Sequence, residues 1–229
     1  MEGTTFLSGY DPSRYERPSV AADCVALGMS DGQLVVLLAR RDRSPFAGDW
    51  ALPGGFVGIR ESLETAVERV LRDKAGLTGV VPEQVHCFGA VDRDPRMRII
   101  SVAYRVLLDP KRLAALDLRD GQCLAAVDAA GTPCCDGQPL RLAFDHAMIV
   151  RLTLERLRAT IDDAAFALLP ERFTLRALQA VHEAVQGRQL NKPAFRRRML
   201  ERGDLLGTGD HEAGRAFRPA ELYVRRSKG

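Results

Sequence analysis

Between Gly55 and Leu77 the chain reads GFVGIRESLETAVERVLRDKAGL, a helical-looking stretch that holds Glu61, Glu64, Glu68 and Asp73. Acids gathered on one helix face suit one kind of chemistry. Hard oxygen ligands hold Mg²⁺, and bound Mg²⁺ neutralises phosphate oxygens and generates hydroxide, as hydrolysis of a diphosphate bridge requires. The spacing here works against that use. At about 100° per residue, Val70, Asp73 and Lys74 lie within a third of a turn, so the face that carries Asp73 also carries a methyl group and an ammonium. Like charges at ~4 Å repel by roughly 1 kcal/mol in water and by several in a partly dry site, so Lys74 opposes a cation there. Glu64 and Glu68 lie around the helix from this face. Glu68 can pair with Arg72, and Arg69 with Asp73, at i,i+4 spacing.

A second group of chemistry-bearing residues lies near the C-terminus, where LNKPAFRRRML places Lys192 ahead of Arg196, Arg197 and Arg198. Residues 171–229 hold 13 Lys+Arg against 7 Asp+Glu, a balance of +6, whereas residues 1–170 balance at −3. A short basic region behind a mildly acidic larger one suits attachment to nucleic acid. Paired aromatics for stacking single-stranded RNA have no clear counterpart in residues 171–229. The five cysteines (Cys24, Cys87, Cys123, Cys134, Cys135) show no zinc-ligand spacing and read as reduced structural thiols. Of the histidines, His146 reads as a structural residue at a helix start, while His86, His182 and His211 show no partner pattern. The N-terminal segment lacks a basic n-region and an apolar h-region, and no apolar run approaches ~18 residues. A cytoplasmic protein is expected.

The elements that must position these residues can be read from local pattern. Ser19 to Arg41 holds two β-branched, apolar runs around Ser30-Asp31-Gly32, a hairpin. A turn-rich loop, FAGDWALPGGF, follows; Trp50 there is core or pocket wall. Ser62 to Ala75 is an amphipathic helix, with Leu63, Ala66, Val67, Val70 and Leu71 on one stripe and Gly76 closing it. Strands are predicted at Val85–Ala90 and Arg98–Leu108, and a helix from Asp145 to Ile161. Thr174 caps a helix running through Val185 that Gly187 ends, and Asn191 with Pro193 opens another. Two short helices joined by a tight turn, then turn residues and an alternating strand, make a helix-turn-helix with a β-wing. Strands on both sides of a central helix give a mixed α/β, or α+β, first domain.

The stretch 55–77 resembles the Nudix box, Gx5Ex7REUxEExGU with U aliphatic, through Gly55, Glu61, Arg69, Leu71, Gly76 and Leu77. WALPGGF upstream and the preceding hairpin extend the resemblance, which implies the Nudix fold, a mixed sheet sandwiched by helices. The departures fall on the family's metal ligands, where Glu gives way to Val70, Asp73 and Lys74. One outlying acid, Glu61, cannot hold Mg²⁺ alone. No catalytic residue and no metal ligand is therefore assigned, and hydrolysis is expected to be weak or absent. Lys74 can supply in place a charge that Mg²⁺ would have brought to a diphosphate, and backbone N–H groups around Gly54 and Gly55 can reach phosphate oxygens.

The order of a Nudix domain (1–160) and a winged helix (161–229) resembles the Nudix-related transcriptional regulators of the NrtR type. YERPSVAADCVAL, PFAGDWALPGGFV, DRDPRMRIISVAY, AFDHAMIV and, above all, LLPERFTLRALQAVHEAVQGRQLNKPAFRRRML carry it. The resemblance implies a homodimeric repressor of NAD-metabolism genes that senses ADP-ribose or a related nucleotide and needs no cofactor. It places Arg41, Arg93 and Arg96 near the effector's phosphate and ribose, although Arg93-Asp94-Pro95-Arg96 also reads as a structural loop with internal ion pairs. It places Lys192, Arg196, Arg197 and Arg198 on a recognition helix gripping double-stranded DNA, where arginine reads guanine edges or phosphates. Neighbours diverging by about 100° cannot all face one groove. Arg176, Arg215 and Arg218 are further phosphate candidates. Two other readings stand beside this one: a Nudix pyrophosphohydrolase of ADP-ribose or a related nucleoside diphosphate with a basic appendage, and an RNA-associated Nudix protein.

Overall fold

Turn chemistry and alternation build the first hairpin. In the computed structural model, which describes residues 11–212 and 219–226, β1 (Ser19–Ser30) and β2 (Gln33–Arg40) pair antiparallel across Asp31-Gly32. Both turn residues have positive φ, 49° and 77°, the geometry whose twist matches the flanking strands. Two further short strands follow: β3 (Trp50–Ala51) on β2 and β4 (Gly54–Phe56) on β1. After helix α1 (Leu63–Ala75) come β5 (Glu83–Phe88), β6 (Ile99–Leu108), a short α2 (Pro110–Ala114) and β7 (Gln122–Val127). β8 (Pro133–Cys135) and β9 (Gln138–Pro139) complete a sheet ordered β5-β6-β1-β2-β7-β8-β9. β1 runs parallel to β6, while the other pairs are antiparallel.

Period-two alternation sends successive β1 side chains to opposite faces. Cys24 and Ala26 join Ala66, Val67 and Leu71 of α1 in one apolar cluster. Val25 and Leu27 join a larger cluster with Ile149, Leu154 and Leu157 of α3 (His146–Ala159). That second cluster continues into Leu178 and Val181 of α5 (Leu175–Gln186) and Phe195 and Met199 of α6 (Lys192–Glu201). Between α3 and α5 lie α4 (Ile161–Ala164) and a 3₁₀ turn at Ala165–Leu168. β10 (Leu205–His211) and β11 (Glu221–Arg225) form the wing, to which Phe173 adds a bridge through reciprocal hydrogen bonds with Tyr223 of 3.0 and 2.8 Å.

Most elements lie where local pattern puts them, with shifted bounds. The strand predicted from Val85 begins at Glu83, and its neighbour begins at Ile99. The helix predicted to run from Asp145 to Ile161 breaks at Thr160 (φ −115°), whose hydroxyl turns back to the Arg156 carbonyl. All five thiols are free, and Cys24 is buried. No helix among the described residues is long and apolar enough to cross a membrane.

Candidate ligand pocket and nucleic-acid face

Helix α1 is held at both ends by its own sequence. Ser62 Oγ accepts the Thr65 N–H (3.1 Å), and Gly76, in the left-handed region, closes the last turn. The loop before it is fixed by Glu61, whose Oε2 accepts the Gly58 N–H at 2.8 Å. Arg69 forks onto Glu61, with Nε to Oε1 at 2.7 Å and Nη2 to Oε2 at 2.8 Å, and reaches the Phe56 carbonyl at 2.9 Å. The Arg69 bonds and the Gly58 N–H hold the Glu61 carboxyl down at about 2. Arg69 therefore spends its fork on Glu61 and not, as its spacing had suggested, on Asp73. A carboxylate already held by the loop presents both oxygens to a planar guanidinium. Arg72 likewise turns to the adjacent Asp73 (2.9 Å), not back to Glu68.

The face where the Nudix box keeps its acids looks onto β4. Val70 is buried, and its Cγ2 would lie 3.2 Å from a Cβ placed on Gly55. Lys74 Nζ donates to the Gly54 carbonyl. Arg119 Nη1 caps the Asp73 carbonyl (2.7 Å), and Gln122 Nε2 caps that of Lys74 (2.5 Å), so the helix end is fixed against β7. Magnesium does not fit these residues. Val70 has no oxygen, Lys74 brings a positive charge, and both Glu61 oxygens are engaged. No group of three or more His, Cys, Asp or Glu among the described residues could hold a metal ion.

What the face does border is a cavity of about 470 Å³ whose walls include Arg41, Gly54, Gly55, Lys74, Arg93 and Arg96. All six residues named from the sequence as ligand-binding thus come together. Its floor is Asp23, a buried acid in an otherwise apolar strand, accepting from Ser101 Oγ (2.5 Å). Asp23 lies so close to Gly54 that a Cβ there would be 1.9 Å from its Oδ1. Arg93 Nη2 stands 3.6 Å from Asp23 and forks onto Asp145 at 2.6 and 2.8 Å. His146 takes the Leu52 N–H on Nδ1 (3.0 Å) and turns Nε2 to Asp23 (3.8 Å), while burial lowers its pKa. Arg96 forks onto Asp94 at 2.7 and 2.9 Å. The Arg93–Arg96 loop therefore has the ion pairs of a structural loop and also lines the cavity.

Arg41 and Lys74 on this wall both donate to backbone carbonyls. Arg41 donates to the Pro45 and Arg43 carbonyls (2.9 and 3.3 Å), and Lys74 to that of Gly54. Desolvation lowers the Lys74 pKa, and the nearby Asp23 charge opposes the shift. Phe144, with a positive φ of 54°, lies under the Arg41 guanidinium at 4.7 Å and near that of Arg96 at 5.6 Å. Its edge contact with Phe46 (4.8 Å) begins an apolar groove that runs on past Met148. The sequence signals for these unforeseen residues were an acid inside VAADCVALG and an aromatic just ahead of a helix start.

In the C-terminal part, Thr174 and Asn191 cap α5 and α6 through the Ala177 and Ala194 N–H groups (3.1 and 3.0 Å). The turn between the helices is pinned by Glu183, which takes the Leu190 N–H (2.8 Å) and one Gln179 N–H (2.9 Å). Helix α6 buries Phe195 and Met199 and sends its arginines three ways. Arg196 lines a cavity of about 910 Å³ together with Arg176 and Lys192, between the starts of both helices and the wing. Arg197 is exposed beside Glu201 (3.9 Å). Arg198 turns inward to Asp162 (3.3 Å) and over the Phe195 ring (5.5 Å). Arg215 and Arg218 lie outside the described residues.

A Nudix sheet with an acid-poor box, followed by a basic winged helix, defines a class of regulator-like Nudix proteins. Family comparison agrees: residues 17–127 match the NUDIX domain, and residues 165–224 match the NrtR DNA-binding winged helix domain. The ADPR-responsive transcriptional repressor of Acinetobacter baylyi is 34% identical over 223 residues, 95% of this chain and 86% of that protein. Shewanella oneidensis NrtR bound to a 27mer DNA has a TM-score of 0.72 at 31% identity, covering 90% of this chain and 93% of that one. The Nudix domain of the same protein bound to ADP-ribose gives 0.54 at 30%, covering 69% and 99%. An ADP-ribose pyrophosphatase of Methanocaldococcus jannaschii is 35% identical over 138 residues, 60% of this chain and 73% of that enzyme. The chain belongs to the NrtR family.

Proposed function

We propose that this protein is a homodimeric, effector-responsive transcriptional repressor acting on NAD-metabolism genes in the cytoplasm. Residues 1–160 sense ADP-ribose or a closely related nucleotide, and residues 161–229 bind the operator. The observation that carries this reading is the α1 face: Val70 and Lys74 stand where metal-binding acids are needed, yet the basic cavity around them is intact. Such a pocket suits holding a diphosphate better than cleaving it, and a sensor that hydrolysed its effector would erase its own signal. The relatives support both halves, since one is described as ADPR-responsive and another was solved with DNA and, as its Nudix domain, with ADP-ribose.

In the pocket, Lys74 and Arg41 supply positive charge to the diphosphate, and Phe144 offers an aromatic face at the rim. On the DNA side, Arg176, Lys192 and Arg196 form the convergent basic surface, with phosphates positioning and base edges specifying. Linkage then fixes the logic: an effector releases DNA only if it binds the non-DNA-binding arrangement more tightly, by a few kcal/mol for substantial release. The test is an electrophoretic shift with the DNA upstream of the protein's own gene. A retarded complex at physiological salt that dissolves as ADP-ribose is added is expected. Sequence-independent binding that vanishes near physiological salt would sink the repressor reading. Turnover of ADP-ribose with Mg²⁺ at an ordinary enzymatic rate would favour a pyrophosphohydrolase, like the enzyme to which 60% of the chain is also similar.

A further inference from the structure

Helix α3 runs from the pocket towards the winged helix. Phe144, Asp145 and His146, which lead into α3, stand at the pocket, bonded to Arg93 and Leu52 as described. At the other end of α3, Arg158 donates to the Val185 carbonyl in the last turn of α5 (2.8 Å) and to the Ala129 carbonyl (2.7 Å). The chain then turns at Thr160 and presents two adjacent acids on α4, Asp162 and Asp163.

Three arginines from separate parts of the winged helix converge on these acids. Arg198, in the middle of α6, stands 3.3 Å from Asp162. Arg202, at the end of α6, lies 3.3 Å from Asp162 and 3.4 Å from Asp163. Arg225 of β11 reaches Asp163 at 3.0 Å, its guanidinium 4.7 Å above the Phe166 ring. Beneath them the fully buried His182 ring lies 3.7 Å from Asp162 Oδ1, and neither of its nitrogens has a hydrogen-bond partner. Ion pairs this exposed contribute little to stability one at a time. Their value is directional: a shared apolar core leaves helices free to slide, whereas three guanidinium contacts converging on two adjacent acids fix where α6 and the wing sit relative to α4.

We propose that Asp162 and Asp163 form a latch that sets α6 and the wing relative to the end of α3, and that Arg198 is a positioning residue of this latch and not a DNA contact. The proposal rests on the repressor reading for its consequence: movement at residues 144–146 caused by effector travels along α3 and reaches the recognition helix at this acid pair. Arg198 then differs in kind from Arg196, two residues away, which faces the open cavity with Arg176 and Lys192.

Two measurements on the full-length protein test this, with thermal melting as a folding control. The first is the salt dependence of binding to the upstream DNA. R196A is expected to reduce the slope of log K against log salt by about 1, as loss of one phosphate contact does, whereas R198Q leaves the slope unchanged. A drop of about 1 for R198Q overturns the assignment. The second compares ADP-ribose-driven release. In the D162N/D163N variant, or D163N alone if the double variant does not fold, the ADP-ribose needed for half-release is expected to rise at least tenfold. Affinity for ADP-ribose in the absence of DNA stays within twofold, and the charge swap D162R/R198D restores part of the response. Release at the wild-type concentration by the acid variants overturns the latch. A wild-type complex that ADP-ribose does not move defeats the repressor reading itself, and the salt-slope measurement still decides the role of Arg198.

Discussion

The Lys74 ammonium lies against the Gly54 carbonyl, over a floor made by the Asp23 carboxylate, in the space where the Nudix fold otherwise gathers acids. Calorimetry of ADP-ribose in EDTA is therefore expected to show binding by the wild-type protein. K74A should weaken it by about tenfold, some 1.4 kcal/mol, within the range for a hydrogen bond to a charged group; binding that requires added Mg²⁺ would defeat this role. His182 makes a different prediction. Burial lowers its pKa from an ordinary 6.5 to about 4, so between these values the unfolded chain binds a proton that the folded one does not. Stability should fall as pH drops from about 6.5 towards 4, by as much as roughly 3 kcal/mol. H182L should flatten a plot of melting temperature against pH in that window, leaving a residual slope from His146, whose pKa burial also lowers. An unchanged slope would place the proton uptake elsewhere. Lys74 was legible in the sequence because the spacing of the Nudix box marks it, whereas Arg41, Arg93 and Arg96 were named only through the resemblance to a known family. Asp23 and Phe144 were not legible, because Asp23 meets its partners across 78 positions, from Ser101, and Phe144 meets Arg41 across a comparable gap. Local pattern carries no record of such pairings.

At the scale of elements, what the sequence revealed is what short-range chemistry decides. Ser62, Thr174 and Asn191 each accept the N–H three residues on, as residues at N-caps do. Replacing Asn191 with alanine should cost about 1 kcal/mol in denaturant unfolding; because α6 carries the DNA face, the same change should also weaken operator binding without altering its salt slope. A changed slope would mean that Asn191 or its neighbours touch phosphate. By contrast β3, β4, β8 and β9 hold two or three residues each. Strands so short have no periodicity to read and exist because a neighbouring strand offers hydrogen bonds. The break at Thr160 has no local signal for a related reason: apolar spacing runs on through Ile161, and only the three-dimensional position of α4 requires the chain to turn.

For the molecule as a whole, the change in charge balance near residue 171 marks a basic C-terminal part, but not what that part rests on. The stripe of Leu175, Leu178, Val181 and Val185 said that one face of α5 is buried, without naming its partner. The structure supplies it: α5 packs in the same apolar cluster as β1, β2 and α3, so the DNA-binding part rests directly on the sensor sheet. Leu178→Ala, at a fully buried position in that shared core, should cost about 2–5 kcal/mol. Probes in both halves should shift together in thermal unfolding; separate transitions, with only one displaced, would show that the core does not unite them.

Trp50 gives this arrangement a practical use. It is the chain's single tryptophan, and its backbone clamps the strand partner of the pocket: its N–H donates to the Arg141 carbonyl (3.0 Å), and its carbonyl accepts the Ala143 N–H (2.8 Å). The residue is thus fastened through its backbone to the segment that turns into Phe144 and α3, and it packs, partly buried, against the core that α5 shares. Any displacement along that route must change the environment of one fluorophore with no other indole to dilute its emission. The protein carries a built-in optical reporter, so the sensing step can be timed in stopped flow on unlabelled material, before and apart from the departure of DNA.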